Sequence, residues 1–63
     1  MPFVSSSAMH RVEYDERSGQ LDIWFNESGR YSFYNVPTDI YRGLMAATSK
    51  GGYYNDYIKD RFG

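Results

Sequence analysis

The first half of the chain alternates between apolar and polar residues, and this alternation restricts it to β-structure. The apolar positions fall at every second residue of three short segments: Val12 and Tyr14; Leu21, Ile23 and Phe25; Tyr31 and Phe33. A spacing of two places the apolar side chains of a strand on one face. The separators "DERSGQ" and "NESGR" each contain a glycine suited to a left-handed turn position. The pattern therefore predicts a three-stranded antiparallel meander.

The apolar faces also predict how the first two strands pair, because a slip of one residue would turn a strand inside out. Pairing Tyr14 with Leu21 keeps the two apolar faces together and sets Arg11 opposite Trp24. Met9 and Val12 are both apolar but lie three residues apart, which one flat strand cannot place on the same face. We therefore expect a β-bulge near His10 and Arg11.

The second hairpin is predicted from its turn. A type I turn followed by a glycine bulge would pair Phe25 with Tyr31. Trp24 would then lie on the opposite side of the sheet. Arg30 and Tyr34 would be its diagonal neighbours on that side.

After Val36 the spacing of apolar residues becomes helical. Pro37 suits the first turn of a helix, and Ser49 suits the N-cap of a second one. The apolar face of the first helix consists of Ile40, Leu44 and Ala47, and that of the second of Tyr54, Ile58 and Phe62. Gly51 lies beside the second face, which predicts a close approach of this helix to the first helix or to the sheet.

These elements predict an α+β fold, in which a three-stranded antiparallel β-meander is followed by two α-helices packed on one face in two layers. Residues 1–63 form a single domain, and residues 1–7 are expected to be loosely held. We expect Tyr31 and Phe33 in the core beneath the helices. The neighbouring Tyr34 is expected on the uncovered face.

Composition argues against several classes of protein. The seven Lys and Arg residues are balanced by eight Asp and Glu, which is not the charge of a binder driven mainly by phosphate neutralisation. The chain contains no cysteine, which fits a reducing cytoplasm. It has no apolar run long enough to cross a membrane and no recognisable signal peptide. We therefore expect a cytoplasmic protein without a membrane partner.

Residues suited to catalysis or metal binding are sparse. His10 is the only histidine, and the serines that precede it lie in the segment expected to be loosely held. A nucleophile needs a base in a fixed geometry, and a zinc or calcium site needs a recognisable ligand spacing. We expect no catalytic site, no metal and no cofactor.

The uncovered face of the sheet is the main candidate binding surface. Trp24 and Tyr34 would lie there with Arg11 and Arg30, and exposed aromatic rings beside arginine can stack the bases of single-stranded nucleic acid. The same residues suit a protein interface, including self-association. A third alternative is that they only stiffen the sheet.

A second candidate pair is Asn55 and Lys59, which lie one turn apart on the predicted second helix. They could contact a partner or a phosphate group. Alternatively, Asn55 forms a hydrogen bond to a strand end or to the loop between the helices.

The segments "SSAMHRVEYD", "LDIWF" and "GRYSFYNVPTDIYRGLMAATSKGGYYNDYIK" resemble the KTSC domain, a module found at the C-terminus of some lysyl-tRNA synthetases and alone in bacterial proteins. The resemblance extends from Ser6 to about Phe62. The Tyr-x-Tyr motif of the family falls on Tyr31, Ser32 and Phe33, with phenylalanine replacing the second tyrosine. The resemblance implies a small non-catalytic binding module with RNA as its first candidate ligand. The alternative is a protein-interaction module.

Overall fold

The computed structural model describes residue 4 and residues 6–62. Its elements follow in the order β1 (Met9–Asp15), β2 (Gln20–Phe25), β3 (Gly29–Phe33), α1 (Thr38–Ala46) and α2 (Lys50–Tyr57). The sheet order is β1-β2-β3, and neighbouring strands are antiparallel. The predicted meander with two following helices is thus confirmed. Residues 1–3, 5 and 63 lie outside the described residues, and with them most of the segment expected to be loosely held.

The pairing of β1 with β2 is the one predicted from the apolar faces. Tyr14 lies opposite Leu21 and Arg11 opposite Trp24. The register shifts between Met9 and Arg11, which leaves His10 as the extra residue of a β-bulge. The bulge restores the alternation, so that Met9 is fully buried although its spacing is wrong for a flat strand.

The predicted pairing of β2 with β3 is wrong by two residues. Phe25 lies opposite Gly29, and Ile23 rather than Phe25 lies opposite Tyr31. The turn contains only residues 26–28, and Gly29 closes it with φ at +84°. A shift of two keeps every side chain on its predicted face but changes its partner. As a result Trp24 lies directly opposite Arg30.

The core lies between one face of the sheet and the helices. Its buried side chains are Met9, Val12, Leu21, Ile23, Phe33, Val36, Leu44 and Ile58. The prediction for Phe33 is confirmed, whereas Tyr31 is 47% exposed and is not a core residue. The exposure of Tyr31 follows from its place on the edge strand, where its ring packs edge-on against Phe25 at the rim of the apolar cluster.

Short-range hydrogen bonds stabilise the connection between the end of α1 and the start of α2. The Ser49 hydroxyl accepts a hydrogen bond from the Gly52 N–H at 3.2 Å, which confirms Ser49 as the N-cap of α2. The Lys50 ammonium donates to the carbonyls of Met45 and Ala47, both at 3.1 Å. It therefore satisfies acceptors that the end of α1 leaves without helical partners.

Two glycines allow close approaches to α2, one expected and one not. A Cβ on Gly51 would lie 3.3 Å from the Ala8 side chain, so the neighbour of this glycine is the residue that leads into β1. Gly43 on α1 was not singled out by the sequence pattern. The Tyr53 ring fills the space where a Gly43 side chain would project, and this contact brings α1 and α2 together.

Gly19 ties the first hairpin to the segment that leads into α1. Its φ is +74°, its carbonyl accepts a hydrogen bond from the Val36 N–H at 2.9 Å, and its own N–H donates to the Asp15 carbonyl at 2.8 Å. A Cβ at this position would lie 3.0 Å from the Val36 nitrogen and 3.2 Å from the Asn35 Cα. Both the backbone angle and the surrounding backbone therefore require glycine.

We expect Gly19→Ala to destabilise the fold more than Gly29→Ala. Both glycines have a positive φ, but an added Cβ on Gly29 meets nothing within 4 Å. Gly29→Ala should lower the free energy of unfolding by roughly 1 to 2 kcal/mol, the cost of a left-handed alanine. Gly19→Ala should lower it by at least about 1 kcal/mol more, since backbone atoms must also move. Urea unfolding followed by circular dichroism measures both, and equal losses would contradict the close approach at Gly19.

Candidate functional site

One row of side chains crosses the uncovered face of the sheet near the bulge. Arg11 lies opposite Trp24, and Trp24 lies opposite Arg30. We call these three residues the cationic row. The Arg11 guanidinium carbon lies 4.4 Å from the centroid of the Trp24 ring, a distance at which the cation is attracted to the π-system. The sequence prediction that these three residues meet on one face agrees with this arrangement.

An ion pair orients the first member of the cationic row. The Arg11 Nη2 atom lies 2.5 Å from the Glu13 Oε2 atom, and its Nε also donates to that oxygen at 3.1 Å. Two contacts to one carboxylate, together with the indole beneath, restrict the guanidinium to one position. Less side-chain entropy is then lost when a ligand binds there.

The rows farther from the bulge are acidic. Glu13 lies opposite Asp22, and Asp15 lies opposite Gln20. We call Glu13, Asp15 and Asp22 the acidic patch. Hydrogen bonds partly offset the like-charge pair, because Asp22 accepts from the Ser32 hydroxyl at 2.7 Å and from the Gln20 amide at 3.1 Å. The uncovered face therefore has a cationic end and an anionic end.

Tyr34 lies at the anionic end and not beside Trp24. It follows the last residue of β3 and is 49% exposed. The last pair of the second hairpin joins Leu21 to Phe33, so Tyr34 lies four residues along the strand from Arg30. At the rise of a strand this is about 13 Å. The structure thus brings three of the four predicted residues together and leaves Tyr34 outside.

Asn55 and Lys59 belong to a different surface, on the helix side of the sheet. Two adjoining cavities of 480 and 240 Å³ share Phe25, Ser28 and Tyr54 in their walls. Asn55 lines the larger cavity, and Lys59 lines the smaller. We call the two cavities together the hairpin groove, since they lie between the β2–β3 turn and α2.

The floor of the hairpin groove is aromatic. The Phe25 ring contacts the rings of Tyr54 and Tyr31 at centroid distances of 4.8 and 5.5 Å, in both cases at steep angles. Tyr31 and Tyr54 were not predicted as site residues. Their alternation and helical spacing indicated the core, and the family Tyr-x-Tyr motif was the one sequence signal that singled out Tyr31.

The hydrogen bond considered as an alternative role for Asn55 is not present in the described residues. Asn55 is exposed, and within residues 6–62 its side chain has no hydrogen bond to a strand end or to the inter-helix loop. Burial raises the pKa of the Tyr54 hydroxyl, with smaller contributions from Asp60 and Tyr31. Tyr54 therefore keeps its proton at neutral pH and can donate a hydrogen bond.

Comparison with known proteins gives the chain a family. The model of the KTSC domain matches residues 5–62. The chain belongs to the KTSC domain family. The crystal structure of a KTSC domain protein from Yersinia pestis superposes with a TM-score of 0.94 at 36% identity, covering 97% of this chain and 86% of that one. The predicted fold and the predicted family are both confirmed.

Two curated relatives show the domain in different settings. A protein of Tsukamurella paurometabola is 36% identical over 59 residues, which is 94% of this chain and 88% of the relative. A lysine–tRNA ligase of Nostoc punctiforme is 30% identical over 56 residues, which is 89% of this chain and 10% of the ligase. The stretch similar to this chain thus makes up most of one relative and a small part of the other.

Two further observations bear on the class of site. No helix within the described part of the chain is long and apolar enough to cross a bilayer. Among residues 4 and 6–62, no three His, Cys, Asp or Glu side chains are grouped to hold a metal ion.

We expect the domain to lose stability above about pH 10. The pKa values of Tyr53 and Tyr54 are raised, in both cases chiefly by burial. A hydroxyl with a higher pKa in the folded than in the unfolded chain stabilises the fold below the unfolded value, and this contribution is lost as the pH rises through the folded value. Chemical unfolding between pH 8 and 11.5 should show the decline, and the double substitution Tyr53→Phe, Tyr54→Phe should reduce its slope. An unchanged slope in the double variant would contradict the assignment.

Proposed function

We propose that this KTSC domain is a small non-catalytic binding module that binds single-stranded RNA on the cationic row. The observation that carries this proposal is the placement of Trp24 between Arg11 and Arg30 on a sheet face that no helix covers. A base can stack on an indole or on the plane of a guanidinium, at roughly 1 to 3 kcal/mol for each base. Arg30 is the cation for a flanking phosphate, and Arg11, which is held by Glu13, adds its guanidinium to the stacking surface.

The charge distribution determines which path a bound strand can follow across the sheet. The acidic patch occupies the rows beyond Trp24, and carboxylates there repel phosphates. A nucleic acid is therefore favoured only along the cationic row, where it crosses the three strands of the sheet. The net charge of −1 for the whole chain agrees with a small, stacking-based site and not with broad phosphate neutralisation.

The name of one relative supports RNA as the ligand class. One relative is named a lysine–tRNA ligase, and tRNA is the nucleic acid in that name.

The alternative function is a protein-interaction module, and one observation favours it. The uncovered face carries both charges and an exposed aromatic residue, Tyr34, at its anionic end. Tyrosine, tryptophan and arginine are enriched at protein interfaces. Such an interface, including one between two copies of this chain, would use the acidic patch as well as the cationic row.

We expect a single-stranded RNA octamer to quench the fluorescence of Trp24, the only tryptophan, in a saturable manner. Arg30→Gln should weaken binding by about fivefold to tenfold and reduce the slope of log affinity against log salt by about 0.7, the value for one phosphate contact on a single strand. Arg42→Gln is the matched control, because it removes the same charge from α1. Trp24→Phe should abolish the signal.

Two results would contradict RNA binding on the cationic row. One is a flat titration at high micromolar RNA. The other is an equal loss in Arg30→Gln and Arg42→Gln, which would indicate only a general charge effect. With a flat titration, a molecular weight that rises with protein concentration in sedimentation equilibrium would instead support the interaction-module alternative.

A further inference from the structure

The cationic row and the hairpin groove meet at the edge of the sheet. β3 is an edge strand, and its consecutive residues Arg30 and Tyr31 point to opposite faces. Both residues are exposed. A chain that crosses the uncovered face and passes Arg30 therefore meets Tyr31 as soon as it turns over the edge.

The space beside this edge is open. Gly29 precedes Arg30 and lies opposite Phe25, whose ring forms the groove floor. Nothing lies within 4 Å of where a Gly29 side chain would begin. The passage from the cationic row into the groove is thus not obstructed at this residue.

The groove contains the groups that a nucleotide requires. Tyr31 is 47% exposed and presents an aromatic ring for a base. Lys59 lines the same cavity as Tyr31 and supplies a cation for a phosphate. The Asn55 amide and the protonated Tyr54 hydroxyl are hydrogen-bonding groups for a base edge.

Negative charge limits where the phosphate can lie. Glu27 lines the larger cavity together with Asn55, while the smaller cavity with Lys59 has no carboxylate in its wall. Besides burial, the negative charge of Asp60 raises the pKa of the Tyr54 hydroxyl. A phosphate is therefore favoured beside Lys59, and the base edge is favoured at the Asn55 end, where a carboxylate can accept from a base N–H group such as N3–H of uracil.

We propose that the hairpin groove is a second nucleotide subsite for the RNA strand held on the cationic row. The strand turns over the edge of β3, stacks a base on Tyr31 and places a phosphate beside Lys59. This inference rests on the proposed function, since the cationic row holds the first part of the strand. It extends the site to residues of the helix face.

The test uses two RNA lengths, a uridine tetramer and a uridine octamer, each titrated against Trp24 fluorescence. The tetramer reports the cationic row, and the octamer is long enough to reach the groove as well. In the natural sequence the octamer should bind at least tenfold more tightly. Tyr31→Ala and Lys59→Gln should each lower octamer affinity by about fivefold or more and leave tetramer affinity unchanged.

Matched variants separate the subsite from folding and charge. Tyr57→Ala removes a tyrosine that is 49% exposed on α2 and outside the groove, and it should not change octamer affinity. Arg42→Gln removes one positive charge from α1 and should likewise have no effect. Tyr31→Phe keeps the ring and should retain octamer affinity. Lys59 is exposed, so Lys59→Gln tests the subsite even if Tyr31→Ala fails to fold.

The outcomes distinguish the subsite from the proposed function. If both RNAs bind with quenching of Trp24 and neither Tyr31→Ala nor Lys59→Gln weakens the octamer, the groove subsite is wrong and the cationic row stands. If neither RNA binds to the natural sequence, the proposed function fails and the subsite fails with it. Losses in both variants that are confined to the octamer support the subsite.

Discussion

The pairing of Phe25 with Gly29 determines where the side chains of both candidate sites lie. A turn of only three residues, closed by a glycine in the left-handed region, aligns the edge strand with its neighbour. This alignment sets Arg30 beside Trp24 on one face and brings Tyr31 to the exposed rim of the other. A pairing shifted by two residues would keep the same faces but would separate the arginine from the indole and carry Tyr31 toward the turn. The candidate sites on both faces therefore depend on one turn.

One face of the sheet remains exposed because the two short helices cover only the other face. The buried core is small, and glycines at the contact points allow its layers to approach closely. Gly19 receives the backbone of Val36, and Gly43 receives the ring of Tyr53. With so few buried side chains, the domain needs its apolar residues for folding. The aromatic residues that remain exposed, Tyr31 among them, are then the ones available for binding.

Sequence patterns were sufficient for the fold and for only part of the site. The alternation of apolar residues predicted the faces, the bulge at His10 and the first register, and the Ser49 cap was readable from its residue type. The second register was not predictable, because a three-residue loop at 27–29, as predicted, and one at 26–28, as observed, place the same side chains on the same faces. That ambiguity placed Tyr34 beside Trp24, whereas the alternation of apolar residues placed Tyr31 in the core. The hairpin groove was missed because it forms between a turn and a helix that are distant in the chain.

We propose that one RNA strand occupies the cationic row and continues over the sheet edge. A nitrogen–proton NMR titration of the labelled domain with a uridine octamer would follow each residue on this path. Chemical shifts should change in the Trp24 indole N–H and in the backbone amides of Arg30, Tyr31 and Lys59, which would trace a path across the edge. Changes centred on the acidic patch or on α1, with none at Trp24, would contradict it.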